Sequence, residues 1–458
     1  MTGAADAQAA RALARYHEAV ARTNALIDPA YQRSATLEEV RERAEQRMRR
    51  LRAFLAERGE PHRRFPVVHV GGTSGKGSTA TAIAAILTAA GYRTGLHLSP
   101  YLQVATEKLQ IDGRLISGDC FADLVDEVLS AADAWHERTG ERLTYGEIWF
   151  ALVATYFAAE RVDLAVIEVG AGGRFDLTNI LQPAVSVITT VGFDHTETLG
   201  PTIGEIAWHK AGIIKPGAPV VTAETDPDAL APILAEARLT GSKVIHVAPD
   251  GAPGLPALAG PFQQVNAATA IAAIRALERN GWKIGEDAIA AGLAAARLPG
   301  RLETVQLAPR VVLDGAHNPQ KAAALAAAIP PAVPRPPGGR LILVLGLLES
   351  KDQDGVVQAL LPCADALVLT RPQVLAKPSL DPRVLADAAR RAGFSGEIVV
   401  RDDPGEAIAA ALLQADAMRG DAVLVTGSLY LVGNVRSRWY PDDEIVLQRT
   451  PWPGSNPD

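Results

Sequence analysis

Gly72-Thr-Ser-Gly-Lys-Gly-Ser78 carries the sharpest chemical signal in the chain. Its glycines let backbone N–H groups converge on phosphate oxygens, and a helix opening at this point adds the positive end of its dipole. Lys76 is placed to neutralise terminal phosphates, and the usual phosphate-loop rule nominates a Ser beside it, here Ser78, for magnesium. Gly77 between Lys76 and Ser78 departs from that spacing. In Val166-Ile-Glu-Val-Gly-Ala-Gly-Gly-Arg174 an apolar run delivers Glu168 near a strand's carboxyl end, where α/β sheets hold ligands. A carboxylate there suits Mg²⁺, which takes few carboxylates and keeps several waters; a partly buried, hydrogen-bonded glutamate is the plain alternative. His195, in Gly192-Phe-Asp-His-Thr-Glu, fits a metal ligand, a general base or a loop histidine. Asp314 and His317, in Asp-Gly-Ala-His-Asn-Pro, stand at another strand end, either facing a ligand held between domains or capping a helix.

These residues need strands that end at them. Phe65–Val70 is a β-like run directly before the glycine-rich segment, and an Ala/Ile-rich helix runs from it to Ala90. Asp163–Val169 and Val185–Val191 read as strands, Tyr145–Glu160 and Gly204–Gly212 as helices. From about residue 309 a second series begins, with strands at Val311–Leu313, Leu341–Leu345, Ala366–Leu369, Glu397–Val400 and Ala422–Val425. Alternating βα units predict parallel sheets covered on both faces. Residues 1–60 read as a helical lead-in with Thr36 as N-cap, Glu39 at the capping-box position and Gly59 and Pro61 as stops. Its Arg and Glu residues read as a solvated face. Pro330–Gly339 reads as a loop inside the second domain, and the domain boundary falls near Ala308-Pro309. The expectation is a parallel-sheet ATPase domain with a phosphate loop over 1–308, then a smaller Rossmann-like α/β domain over 309–458.

Composition agrees with a folded α/β chain. Of 458 residues, 48% are apolar and 21% charged, and the net charge is −7. That balance disfavours nucleic acid or an anionic membrane as a main partner. Cys120 and Cys363 are too few and too far apart for a disulfide framework or a structural zinc site. Apolar runs such as Leu341–Leu348 fall far short of the roughly 20 residues of a membrane span. The N-terminus has no basic segment followed by an apolar core, so no signal peptide is expected and the default compartment is the cytoplasm.

Taken in order, the motifs resemble the folylpolyglutamate synthase/dihydrofolate synthase family of Mur-type ATP-dependent amide ligases. The resemblance runs from about Arg47 to Arg436. It rests on His69–Ser78, Leu98-Ser-Pro-Tyr-Leu102, Glu168–Asn179, Asp194–Gly200, Lys210-Ala-Gly-Ile-Ile-Lys-Pro-Gly217, Pro299-Gly-Arg-Leu-Glu303, Asp314–Pro319 and Gly427–Gly433. It implies that ATP phosphates lie on Gly72, Thr73, Ser74, Gly75, Lys76, Gly77 and Ser78, with Asn266, Arg301 and Asp314 as further nucleotide contacts. It implies Ser99, Glu168 and His195 as magnesium ligands, so it disagrees with Ser78, and a carbamylated Lys210 as an anionic fourth. His317 and Ser428 match positions near the incoming glutamate. Lys351 and Asp352 resemble a family loop. Thr144, Tyr145, Gly146, Glu147, Phe175, Asp176 and Leu177 match the acceptor site.

The implied reaction joins glutamate to a folate-type carboxylate. ATP converts the carboxylate to an acyl phosphate, the glutamate amine attacks, and ADP and phosphate result; Lys76 and Lys210 serve catalysis and His317 is the candidate base. Domain closure would exclude water. The chain departs from the family at the acceptor site. It reads Ser99-Pro-Tyr where Ser-Pro-His is common, and Gly146 stands where an aromatic wall against the pterin is usual. The Gly-Leu-Glu-Arg segment that holds pterin in some members has only Glu45-Gln-Arg-Met48 as a counterpart. Three other readings compete: a Mur-type ligase for a different carboxylate, a nucleotide-gated binding protein, and a simple phosphate-loop kinase. Small-molecule substrates and a monomer are expected.

Overall fold

The computed structural model describes residues 2–28, 36–248, 258 and 260–454; residues 1 and 29–35 of the helical lead-in lie outside them. The lead-in forms α1 (Thr2–Asn24) and α2 (Leu37–Glu57). The Glu39 N–H donates to Thr36 Oγ1 at 3.3 Å and the Glu39 carboxylate accepts the Thr36 N–H at 2.8 Å, so the capping box forms as expected. The charged face of α2 is not wholly solvated. Met48, Leu51, Phe54 and Leu55 are buried, and Arg50 pairs with the fully buried Glu147.

The chain divides into two compact units, one of Met1–Leu255, Gln264–Arg297 and Asp443–Asp458, the other of Pro256–Gln263 and Leu298–Asp442. The first holds β1 (Val67–Gly71), β2 (Thr94–His97), β3 (Gln110–Ile111), β4 (Arg114–Leu115), β5 (Leu164–Glu168), β6 (Val185–Ile188), β7 (Val220–Thr222) and β8 (Val244–His246), in the order β4-β3-β2-β5-β1-β6-β7-β8. The strands are parallel from β2 to β8, and β3 and β4 form an antiparallel edge that the sequence reading missed. Helices α3 (Lys76–Ala89), α4 (Gly118–Thr139), α5 (Tyr145–Ala159), α6 (Thr196–Leu199), α7 (Ile203–Ala211), α8 (Pro227–Thr240), α9 (Phe262–Arg279) and α10 (Glu286–Ala295) follow in chain order. Every residue of β1 and β5 is buried, as unbroken apolar strands covered on both faces should be. The chain leaves β1 toward β2 on one side, returns as β5 and continues as β6 on the other. Val70 therefore pairs with Glu168, and Gly71 with Ile188. The carboxyl ends of β5, β1 and β6 stand side by side at this switch point, the place where open α/β sheets bind ligands.

The second unit holds β9 (Glu303–Leu307), β10 (Arg310–Leu313), β11 (Leu341–Leu345), β12 (Ala366–Leu369), β13 (Glu397–Val400) and β14 (Ala422–Thr426), in the order β13-β12-β11-β14-β10-β9. All neighbours are parallel except β9, which pairs antiparallel with β10. Ala308-Pro309 is the tight connection of that hairpin, so a boundary at 308 would cut β9 from its partner. Helices α11 (Pro319–Ala332), α12 (Gln353–Leu360), α13 (Pro382–Arg391), α14 (Pro404–Gln414) and α15 (Leu429–Arg436) flank the sheet. Its core packs Val312, Leu325, Leu343, Leu345, Leu367 and Leu424 together. The expected loop from Pro330 starts later, because α11 runs through Pro330 and Pro331. Proline at 330 lacks the N–H that would serve the Ala326 carbonyl; Cys363 Sγ donates to that carbonyl at 3.9 Å instead.

Candidate active site

The phosphate loop joins β1 to α3 as a strand–turn–helix. Gly75 caps α3 at φ +84° and Gly72 sits at φ +139°, conformations that glycine adopts without a Cβ penalty. A Cβ at Gly72 would overlap Thr189 Oγ1, and one at Gly75 would overlap Asn266 Oδ1. The loop is stitched to the segment after β6. The Thr73 N–H donates to the Thr190 carbonyl at 2.6 Å, Thr73 Oγ1 donates to the Gly192 carbonyl at 3.0 Å, and Thr189 Oγ1 donates to the Ser74 carbonyl at 2.6 Å. This is why β6 ends at Ile188 rather than Val191: Thr189 to Gly192 turn to hold the loop. Neither threonine was singled out from the sequence; their signal was a Thr-Thr pair between a strand and Gly192. Lys76 begins α3 and Ser78 is buried in its first turn.

Glu168 ends β5 with 6% of its surface exposed. Its Oε2 accepts the Ser99 N–H at 3.0 Å, so two residues 69 apart in sequence meet at the switch point. A Cβ at Gly170 would stand 3.1 Å from Asp176 Oδ2 and 3.7 Å from Ser99 Oγ, which places a second carboxylate close by. Asp176 is held by Thr178 Oγ1, at 2.5 Å from Oδ1, and by the Ala171 N–H, at 3.1 Å from Oδ2. His69 Nε2 lies 2.8 Å from Thr178 Oγ1 in turn. Burial, with Lys215 nearby, pushes His69 down to about 3. A hydroxyl and a carboxylate at one sheet edge fit a magnesium ion that takes its remaining oxygens from phosphate and water.

Lys210, in the last turn of α7, is buried, and its Nζ donates to the Gly72 carbonyl at 2.9 Å. The structure thus brings Lys210 to the phosphate loop. The Gly172-Gly173-Arg174 turn explains how α7 comes so close: a Cβ at Gly173 would sit 2.7 Å from the His209 carbonyl, and the Arg174 N–H donates to that carbonyl at 2.6 Å. Lys215 donates to Asn179 Oδ1 at 2.7 Å, and burial lowers it to about 8. His195 caps α6 at φ +54°, half-exposed, with Nε2 4.0 Å from Asp194. Its link to the site is the Gly192 turn that Thr73 holds.

Of the residues expected at the acceptor site, Glu147 has a structural position. Its carboxylate accepts from Thr144 N at 2.8 Å, from Thr144 Oγ1 at 2.6 Å and from both Nε and Nη2 of Arg50 at 2.8 and 2.7 Å. It closes the N-terminus of α5 rather than offering a free carboxylate. Tyr145 lies beside Trp149, and Lys108 Nζ stands 4.3 Å from the Trp149 ring centre and 5.7 Å from that of Tyr145. Phe175 packs on Trp208 and His209. The side-chain space at Gly146 is not empty: a Cβ there would be 2.7 Å from Arg47 Nη2 and 3.0 Å from Leu177 Cδ1. Arg47, within the Glu45-Gln-Arg-Met48 stretch that the sequence reading set against the pterin-holding segment, occupies the space beside Gly146.

In the second unit the motifs gather at the carboxyl ends of β10 and β14. Asp314 is buried; its carboxylate accepts the Leu302 N–H at 3.0 Å and the Ala316 N–H at 2.8 Å. Burial raises its pKa against the opposing pull of Arg301, whose Nη1 lies 2.8 Å from where a Cβ of Gly315 would be. The Gly427 N–H donates to the Ala316 carbonyl at 2.9 Å, which joins the two motifs. Ser428 caps α15, accepting the Tyr430 N–H at 3.1 Å, and Asp352 caps α12 in the same way at 2.9 Å. His317 Nδ1 is 2.8 Å from the Gly315 carbonyl and Nε2 is 3.0 Å from Lys321 Nζ. That pattern assigns the proton to Nδ1 and the lone pair to Nε2. Lys321 was missed; four residues on from His317, it was within reach along the start of α11.

A strand–phosphate-loop–helix ATPase unit, with a second α/β unit carrying its own strand-end polar cluster, defines the class of Mur-type ATP-dependent ligases. Residues 70–251 match the Mur ligase middle domain, and residues 300–429 match the Mur ligase glutamate ligase domain. The chain is 34% identical over 413 residues to folylpolyglutamate synthase of Lacticaseibacillus casei, covering 85% of this chain and 93% of the relative. It is 34% identical over 424 residues to dihydrofolate synthase/folylpolyglutamate synthase of Bacillus subtilis, covering 85% and 94%. Among solved structures, Mycobacterium tuberculosis folylpolyglutamate synthase complexed with ADP and AMPPCP superposes with a TM-score of 0.78 at 31% identity, over 86% of this chain and 96% of that one. Escherichia coli FolC in complex with DHPP and ADP gives a TM-score of 0.73 at 30% identity, over 88% and 98%. The chain belongs to the folylpolyglutamate synthase/dihydrofolate synthase family, whose members are ATP-dependent ligases that join glutamate to folate. Among the described residues no helix is long and apolar enough to cross a membrane.

Proposed function

We propose that this chain joins L-glutamate to a folate-type carboxylate, dihydropteroate or a reduced folate, with the residues above in the following roles. The observation that carries the assignment is the gathering of the phosphate loop, Glu168, Ser99 and Lys210 at the carboxyl ends of β1 and β5. The loop N–H groups and Lys76 bind the ATP phosphates, and Asn266 lines the loop at Gly75. Ser99, Glu168 and His195 would hold Mg²⁺, with Lys210 as a carbamate; the ion supplies charge neutralisation on the phosphates.

The chemistry follows from leaving groups. An oxygen of the acceptor carboxylate attacks the γ-phosphorus, and the bond to ADP breaks. The resulting acyl phosphate has phosphate as its leaving group, which a free carboxylate lacks. The neutral glutamate amine attacks the acyl carbon, and phosphate departs as the amide forms. Lys76 stabilises charge on the transferring phosphoryl group. In the second unit His317 takes the proton of the amine through Nε2, once Lys321 releases that lone pair. Arg301 and Asp314 contribute to nucleotide contact, and Ser428 shapes the glutamate side. The enzyme works in the cytoplasm as a monomer in this reading.

The test is a panel of acceptor acids with ATP, Mg²⁺ and glutamate, with products weighed by mass spectrometry. Glutamylated dihydropteroate or tetrahydrofolate with stoichiometric ADP is expected. ADP release only with unrelated acids would overturn the acceptor assignment. Lys76→Ala should reduce turnover by about 10²–10³-fold with the fold retained.

A further inference from the structure

The segment from Ser99 to Lys108 contains no strand and only one short 3₁₀ turn, at Ala105–Lys108. Its shape is set instead by one buried carboxylate. Glu107 accepts three successive backbone N–H groups: Leu102 at 2.8 Å, Gln103 at 2.9 Å and Val104 at 3.0 Å. The fourth N–H, of Ala105, donates to the Tyr16 hydroxyl of α1 at 3.0 Å. Both side chains are buried, Glu107 at 6% and Tyr16 at 4% exposure. At one end of the segment Ser99 meets Glu168; at the other, Lys108 stands among Tyr101, Tyr145 and Trp149. Ser99 thus projects from a loop whose curvature depends on four consecutive N–H groups being satisfied by two side chains. An ionised acceptor binds such donors more strongly than a neutral one.

We infer that Glu107, supported by Tyr16, is a positioning residue that holds the Ser99 backbone N–H on Glu168 and so determines how tightly the site takes magnesium with a nucleotide. This rests on the reading of Ser99 and Glu168 as the magnesium-holding pair. Glu107 touches neither nucleotide nor acceptor in this scheme; it acts through the loop. Partners that orient metal ligands typically change metal affinity or activity by about 10–100-fold when removed.

The test is calorimetric titration of ADP into the full-length protein, once with Mg²⁺ and once with EDTA. Glu107→Gln keeps the size of the side chain but replaces one acceptor oxygen by a donor. Its Mg²⁺-dependent gain in ADP affinity should fall about 10–100-fold, while ADP affinity in EDTA stays within about twofold. Tyr16→Phe removes only the hydroxyl and should lower the same gain by about threefold. Amide exchange at residues 102–105 should quicken in both variants. An unchanged Mg²⁺-dependent gain, or equal losses with and without Mg²⁺, would overturn the inference. Should Glu107→Gln fail to fold, Tyr16→Phe decides by the same two titrations. Wild-type protein that binds ADP no more tightly with Mg²⁺ overturns the reading of Ser99 and Glu168 itself, and this inference with it, before any variant is compared.

Discussion

Asn266 places its Oδ1 where a side chain on residue 75 would begin. The phosphate loop and α9 are therefore matched to a glycine, and Gly75 also has φ +84°. Gly75→Ala should cost about 1–3 kcal/mol in chemical denaturation, from the left-handed backbone and the displaced asparagine. ADP affinity should fall as Asn266 swings away. Gly75→Ala combined with Asn266→Ala should recover part of the stability without recovering the nucleotide. If the double variant is no more stable than the single one, the overlap at Asn266 is not the cause.

Lys210 donates to the Gly72 carbonyl, so the residue that the resemblance marks for carbamylation already touches the phosphate loop. A carbamate would present an anion to Mg²⁺ where an ammonium would repel it. Lys210→Ala should lose about a hundredfold or more in turnover. Acetate should restore part of it by occupying the vacated anionic position. Intact mass cannot decide the point, since carbamates are labile; side-chain density in crystals can. A bare ammonium in fully active enzyme would remove the carbamate from the mechanism.

How much of this was legible in the chain depended on distance along it. Local order was readable: a strand running into Gly72–Ser78 and then an alanine-rich helix has few other solutions, and the strands ending at Glu168 and Asp314 were found for the same reason. Long-range partners were not. Nothing local links Arg50 to Glu147 or Arg47 to Gly146, and both pairs decide how α2 meets α5. The hairpin at Ala308-Pro309 was misread as a boundary because a proline turn between two short strands looks the same as a linker. Lys321 lies only four residues beyond His317, but its role appears only once the His317 ring is oriented.

Two buried histidines give a pH signature. Burial is the main cause that lowers His69 to about 3 and His97 to about 4. Both are neutral in the folded enzyme across ordinary pH. Unfolded, each takes up a proton near pH 6.5, so the unfolded state binds more protons as pH falls below that value. Their contribution to stability is therefore complete above about pH 6.5 and is lost on acidification. Between pH 6 and 5 the slope from the pair should approach about 1.4 kcal/mol per pH unit for each histidine, and that from His97 falls off toward pH 4 as the folded ring protonates. Denaturant titrations of the wild type and of His97→Gln measure it; a variant with the same slope as wild type would exclude His97 from the effect.

The proposed acceptor site is tested at Gly146. A phenyl ring against a flat pterin buries about 50–100 Å² of apolar area, or about 1–3 kcal/mol at roughly 25 cal/mol per Å². In this chain the guanidinium of Arg47 and the Leu177 methyl stand at that position. Both atoms are the far ends of long side chains rather than backbone, so Gly146→Phe should shift them without breaking α5, and replacing a helical glycine favours the helix by about 0.5 kcal/mol. The expected result is a KM for dihydropteroate about tenfold lower with turnover retained, and a melting temperature within a few degrees of wild type. Arg47→Ala separates the two contributions. If the guanidinium only fills space, this variant leaves KM for dihydropteroate nearly unchanged and Gly146→Phe still lowers it. If the guanidinium itself holds the acceptor, both variants raise KM while ADP binding stays intact. An unchanged KM in Gly146→Phe would mean that residue 146 does not line the acceptor site, and that the carry-over of Thr144 to Glu147 as acceptor residues is wrong.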